Sequence, residues 1–240
     1  MTGTDPWVDL LTGDRALLDR TSTAERVADV LRQRIIEGAL PPGTRLSEEN
    51  AGRALSVSRN TLREAFRLLV HERLLVHEFH RGVFVRVPGA GDVADLYRVR
   101  RMLETRAVRL AGTAGEERIA ALDAAVSEGE RAYAEERWVD VGTANMRFHQ
   151  AVGGLASSPR VDELMRQLLA ELRLAFHVMS RPRDFHEPYL GFNREITTLV
   201  LDGRLAEAER ALEDYFDKAE AQLVSAFAEP GGPEGAHMAR

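Results

Sequence analysis

Residues 58–85, SRNTLREAFRLLVHERLLVHEFHRGVFV, change their hydrophobic period once, and that change decides the fold. From Ser58 onward Leu62, Ala65, Phe66, Leu69 and Val70 recur at helical spacing, which places them on one buried stripe. After that the period drops to two. Residues 74–77 make one strand, Phe79-His80-Arg81-Gly82 turns the chain, and Val83, Val85 and Val87 alternate with Phe84 and Arg86. The expectation is a β-hairpin in which Gly82 takes the positive φ that a tight turn demands. On the helix, Arg59, Asn60, Arg63 and Arg67 lie opposite the apolar stripe, with Thr61 beside them in the first turn.

Upstream, residues 22–38 open with Ser22 and with Glu25 three positions on, a capping box. Val27, Val30, Leu31 and Ile35 follow on one face, and Gly38 ends the helix ahead of Pro41-Pro42. A second, short helix starts at Ser47, with Glu48 and Glu49 in its electropositive first turn. Three helices followed by a hairpin over residues 22–88 is the pattern of a winged helix-turn-helix. Pro88-Gly89-Ala90-Gly91 then reads as a linker. Downstream the only pattern is amphipathic helix, over 92–113, 115–135, 137–156, 159–180, 186–202 and 204–227. Residues 92–228 are therefore expected to form an all-helical bundle. Residues 1–21 read as an N-terminal extension and 229–240, rich in Gly and Pro, as a disordered tail. The fold class expected is mostly α: an N-terminal winged helix-turn-helix with a small β-hairpin wing, then a C-terminal helical bundle.

The chain has 240 residues, 44% hydrophobic and 29% charged, which is the composition of an ordinary globular protein. No apolar run approaches the ~20 residues of a membrane span, and the acidic start lacks the features of a signal peptide. The absence of cysteine leaves neither disulfides nor thiolate metal sites and fits a cytoplasmic location. The net charge is −6, yet residues 22–87 carry 11 arginines against 8 acids, so a basic head sits on an acidic body. Lys218 is the single lysine beside 31 arginines.

A helix whose first turn offers Arg59, Asn60 and Thr61, with Arg63 on the next, has what reading base edges requires. Arginine can donate two hydrogen bonds to guanine O6 and N7. The hairpin tip, His80-Arg81-Gly82, suits a minor groove. The competing explanation is a charged face that merely keeps the helix soluble. In the bundle the informative residues are polar ones on apolar stripes. Arg100 falls between Leu96, Leu103 and Ala107. Asn145 and His149 share a face with Val141, Phe148 and Val152. Asn193 aligns with Tyr189, Ile196 and Val200, and Tyr215 follows Ala208 and Leu212. Singly, each could be a satisfied core polar group. Together they point to a shared polar cavity for a small effector, expected to be anionic or carbonyl-bearing.

The run from Ile35 to Val85, with its PPGTRLSE turn, its VSRNTLREAFRLL segment and its RGVFV wing, resembles the GntR family of bacterial regulators. DLYRVRRMLETRAVRLA, then MRFHQAV and a terminal helix pair, resemble that family's FCD effector domain. The resemblance implies DNA contacts from Arg59, Asn60, Thr61 and Arg63 and from His80, Arg81 and Gly82. It also implies a homodimer on a palindromic operator and an effector-binding site at Arg100, Asn145, His149, Asn193 and Tyr215. Relatives often place Arg early in the second helix, where this chain has Glu49 and Asn50. Many FCD domains hold a divalent metal with an Asp and three His. The aligned residues here are Asn145, His149, Asn193 and Tyr215, so no metal or other cofactor is expected, His177 offering at most a second imidazole. No nucleophile motif, phosphate loop or HExxH pair suggests an enzyme. A bundle that only dimerises is the alternative function.

Overall fold

The protein is described by a computed structural model covering residues 22–179 and 182–228; the expected extension over 1–21 and tail over 229–240 lie outside the described residues. Helices α1 (Thr23–Ile36), α2 (Glu48–Leu55) and α3 (Arg59–His71) each begin after a serine. The side chains of Ser22, Ser47 and Ser58 accept the N–H of Glu25, Asn50 and Thr61 at 3.1, 3.3 and 3.1 Å. Glu25 returns a bond from the Ser22 N–H at 2.6 Å, completing the capping box read from the sequence. Val27, Ala28, Leu31 and Ile35 of α1 pack with Leu62, Ala65, Phe66 and Leu69 of α3 into the core of the head. Val30 and Val70, expected in that core, are 44% and 39% exposed. Each falls on the flank of its stripe, and alanines at 24 and 28 fill the buried face of α1 instead.

Strands β2 (Leu75–Glu78) and β3 (Gly82–Val85) pair antiparallel, Leu75 opposite Val85 and Glu78 opposite Gly82. Gly82 takes φ +111° and His80, beside it in the turn, φ +60°. A third strand that the sequence does not announce, β1 (Arg45–Leu46), joins the other edge of β3, giving the order β1-β3-β2. Two residues carry no period to read. β3 also ends at Val85, so Val87, expected to alternate inward, is 49% exposed.

The bundle comprises α4 (Ala90–Arg109), α5 (Glu116–Ala134), α6 (Trp138–Gly154), α7 (Pro159–Ala175), α8 (Pro182–Leu201) and α9 (Leu205–Ala228). α8 begins before the expected residue 186 because proline fits a first helical turn. α6 is the central element, touching α4, α5, α7 and α8, while α9 lies on α4 and α8. The head rests on α7, whose Ala170 and Leu174 enter the head's core. Arg173 of α7 donates from Nε to the Ile36 carbonyl at 2.7 Å, and Arg86 bridges Asp92 at 2.6 Å and Glu171 at 3.2 Å.

Candidate nucleic-acid interface and buried polar site

The first turn of α3 leaves Arg59 and Asn60 exposed, and neither side chain has a partner among the described residues. Thr61 is half-buried and its hydroxyl lies 2.8 Å from that of Ser58, so the cap holds it. Arg63 makes only a long 3.4 Å contact with Glu48, both groups being solvent-accessible. Such a pair is worth little and is easily exchanged for another anion. A cleft of about 640 Å³ joins Arg59 to the wing through Gly82 and to α2 through Glu48 and Asn50. Arg45 lines the same cleft, its Nε 3.6 Å from where a Cβ on Gly82 would stand. At the wing tip Phe79 is 81% exposed, with the His80 ring 3.9 Å from its own, and Arg81 pairs with Glu78.

The sequence reading missed Arg45 and Phe79. Arg45 sits on the unannounced strand. Phe79 was visible in the turn, where a large apolar residue has no structural reason to stand. Glu49, in the first turn of α2, pairs with Arg53 at 2.9 Å.

In the bundle, α4, α6, α8 and α9 bring together all five polar residues singled out on the apolar stripes, and all five are buried. Arg100 donates from Nε to Glu104 Oε1 at 2.8 Å, one turn further along α4. The other oxygen of Glu104 lies 2.7 Å from His149 Nδ1. Opposite, Asn193 Nδ2 donates to Asn145 Oδ1 at 2.7 Å, and Asn145 Nδ2 donates to the Tyr215 hydroxyl at 3.1 Å. The His149 and Tyr215 rings, 4.8 Å apart, join the two groups. The Arg100 guanidinium rests between the faces of Tyr97 and Phe216 at 5.2 and 5.1 Å.

Burial, helped by the nearby Arg100 cation, pulls His149 down to about 4, so its ring is neutral. Burial pushes Tyr215 well above the ordinary tyrosine range. For Glu104, burial opposes ionisation, but Arg100 and His149 outweigh it and hold the carboxyl below its usual value. Glu104, four residues after Arg100 on the same face, stands at ion-pair spacing in the sequence but was not singled out as a site residue. Thr197, one turn after Asn193 and fully buried, was missed in the same way.

These donors do not fit a metal. Asn145 and Tyr215 spend their polar atoms on one another and on Asn193 Nδ2, leaving one imidazole nitrogen and one neutral amide oxygen, too few and too weak to hold a cation. Among the described residues no three His, Cys, Asp or Glu side chains gather at metal-binding spacing. His177, the candidate second imidazole, is exposed in the turn after α7.

A second buried cluster lies at the head–bundle seam. Arg173, whose Nε holds the Ile36 carbonyl, and His186 of α8 both converge on Gly142 of α6. A Cβ there would stand 2.7 Å from Arg173 Nη1 and 2.7 Å from His186 Nε2. Burial beside Arg173 lowers His186 to about 3.

Residues 23–85 match the description "Bacterial regulatory proteins, gntR family", and residues 95–218 match "FCD domain". A structure of a transcriptional regulator GntR from Rhodococcus sp. RHA1 superimposes with a TM-score of 0.80 at 45% identity, covering 86% of this chain and 99% of that one. The Nta operon transcriptional regulator of Aminobacter aminovorans is 32% identical over 67% of this chain and 75% of its own. YdhC of Bacillus subtilis, an uncharacterised HTH-type transcriptional regulator, is 29% identical over 58% of this chain. That match spans 62% of YdhC, less than two thirds of its length. Among the described residues no helix is long and apolar enough to cross a membrane.

Proposed function

The chain belongs to the gntR family of bacterial regulatory proteins and carries an FCD domain, and from that premise we propose that it is a cytoplasmic transcriptional regulator whose hold on DNA is set by a small molecule bound inside the bundle. It works as a two-fold dimer on a palindromic operator, since one recognition helix spans too few bases for useful specificity. Arg59, Asn60 and Arg63 face base edges in the major groove. Thr61 stays with its cap, its N–H held by Ser58, and the free backbone N–H groups of Arg59 and Asn60 face a phosphate. His80, Arg81 and Gly82 carry the wing along the minor groove, and Arg45 and Phe79 extend that contact.

One observation supports the sensing role most strongly. Arg100 Nη2, His149 Nε2, Asn193 Oδ1 and Thr197 Oγ1 are buried without a hydrogen-bond partner. Buried polar atoms nearly always have partners, so orphans on neighbouring inner helix faces mark a place for a molecule. A bundle that served only to dimerise would have no need of them. The seam completes the link. Asn145 lies one turn beyond Gly142 on α6, and Asn193 two turns beyond His186 on α8. An effector that spreads α6 from α8 therefore shifts the surfaces against which Arg173 grips the head.

The test is fluorescence anisotropy with duplex DNA from the region flanking the protein's own gene. Arg59→Ala and Arg63→Ala should each weaken specific binding by about 1–3 kcal/mol. Sedimentation at micromolar concentration should give a dimer. Unchanged affinity in both variants, or a monomer, would refute the proposal.

A further inference from the structure

We propose that the buried site takes an uncharged ligand that both donates and accepts hydrogen bonds, of the primary-amide or hydroxyl class, and rejects free carboxylates. The inference rests on the reading of this site as the effector pocket, and it departs from the anionic effector that the sequence alone suggests.

The protonation of Glu104 and His149 sets what the site can accept. Glu104 is ionised and its two oxygens accept from Arg100 Nε and from His149 Nδ1. Nδ1 therefore carries the hydrogen of the neutral imidazole, and Nε2 presents a bare lone pair. Asn193 has its amide nitrogen committed to Asn145, so its unpaired atom Oδ1 is also an acceptor. Arg100 Nη2 is a donor, and the Thr197 hydroxyl can play either part. The four open positions are thus two acceptors, one donor and one hydroxyl, on residues no more than 3% exposed.

A carboxylate has only acceptors. It would satisfy Arg100 Nη2 and Thr197 while setting its own charge against the lone pairs of His149 and Asn193. A primary amide complements the set. Its carbonyl accepts from Arg100 Nη2, and its two N–H groups donate to His149 Nε2 and Asn193 Oδ1. A hydroxyl-bearing molecule can do the same with one group fewer.

Charge leads to the same class. Glu104 already neutralises Arg100 inside the protein, and Tyr215, His149 and both asparagines add none. A bare anion entering such a balanced site would give up its hydration without meeting a free counter-charge. The rest of the wall is aromatic, with Tyr97 and Phe216 flanking Arg100 and Tyr189 and Phe192 against Tyr215. That suits an apolar remainder on the ligand.

The experiment compares matched probes on the full chain at pH 7.5 by thermal shift and calorimetry. The pairs are benzamide against benzoate, lactamide against lactate and isobutyramide against isobutyrate. The expected result is that in at least one pair the amide raises Tm and binds tenfold or more tighter than its carboxylate. Glu104→Gln removes the internal counter-charge and frees the Arg100 cation, so it should reverse the order within that pair. A residue of purely structural importance would weaken both probes alike. Should Glu104→Gln fail to fold, Thr197→Val takes its place and should weaken amide binding. Carboxylates that bind the wild type as tightly as their amides would overturn the uncharged-ligand inference and leave the effector pocket standing. If no probe of either class shifts wild type or variant, the pocket reading itself falls.

Discussion

The head and the bundle use the same side chain for opposite purposes. At the start of α3, Arg59 stands in water with no anion beside it, and Arg63 is 55% exposed with a loose contact to Glu48. In the bundle Arg100 is 1% exposed, bonded to Glu104 and enclosed by two aromatic rings. An exposed cation without a partner costs the fold nothing and remains free for phosphate or guanine. A buried cation must be neutralised within the protein, and its remaining donor then selects what else can enter. In a chain with one lysine and 31 arginines, therefore, function is assigned by surroundings and not by residue type.

The contrast can be broken most severely at Glu104. Glu104→Ala should lower unfolding stability by about 3–5 kcal/mol, because it strands Arg100 as an uncompensated buried charge. Urea denaturation measures this, and a loss below about 1 kcal/mol would mean that water already solvates the pair. Acid comes next. His149 and His186 are held neutral at about 4 and 3, whereas in the unfolded chain they titrate at the ordinary histidine value. The unfolded state then binds more protons below pH 6.5, so stability is full above that pH and lost as pH falls toward 4. Melting temperature against pH should show this loss, and it should be shallower in His149→Gln.

At the seam the corresponding variant is Gly142→Ala. The added methyl meets Arg173 and His186 at 2.7 Å, so a cost of about 1–3 kcal/mol is expected, with the Arg173–Ile36 bond loosened. Amide hydrogen exchange at the end of α1 would record the loosening. Smallest of all is Glu64→Ala in the head, whose pair with Arg67 is exposed on both sides. It should change stability by no more than about 0.5 kcal/mol.

How much of this was legible in the sequence follows from the same division. The head could be read almost to the residue, since serine caps, one apolar stripe and the change of period from helix to strand are local signals. Its missing strand, Arg45–Leu46, is too short for any period and exists only because β3 offers an edge. The bundle gave up its polar residues, since Arg100, Asn145, His149, Asn193 and Tyr215 interrupt otherwise apolar stripes. What could not be read was who pairs with whom. Glu104 meets His149 across 45 positions, and Arg173 reaches Ile36 across 137. Those contacts depend on how whole helices cross, which no local pattern encodes. The class of effector turned on a nearer pairing, one turn apart on α4, because a lone Arg100 invites an anion whereas Arg100 bound to Glu104 does not.

Base reading by this protein resides in the exposed first turn of α3. Selection of bound duplexes from a randomised pool, run with wild type, Arg59→Ala and Arg204→Ala, tests it. Arg204 is also an exposed cation, on the bundle and paired with Glu207 at 2.6 Å. Wild type and Arg204→Ala should enrich one and the same two-fold symmetric sequence, and Arg59→Ala should lose the preference at one position of each half-site. An identical sequence enriched by all three proteins, or no enriched sequence with wild type, would contradict the account.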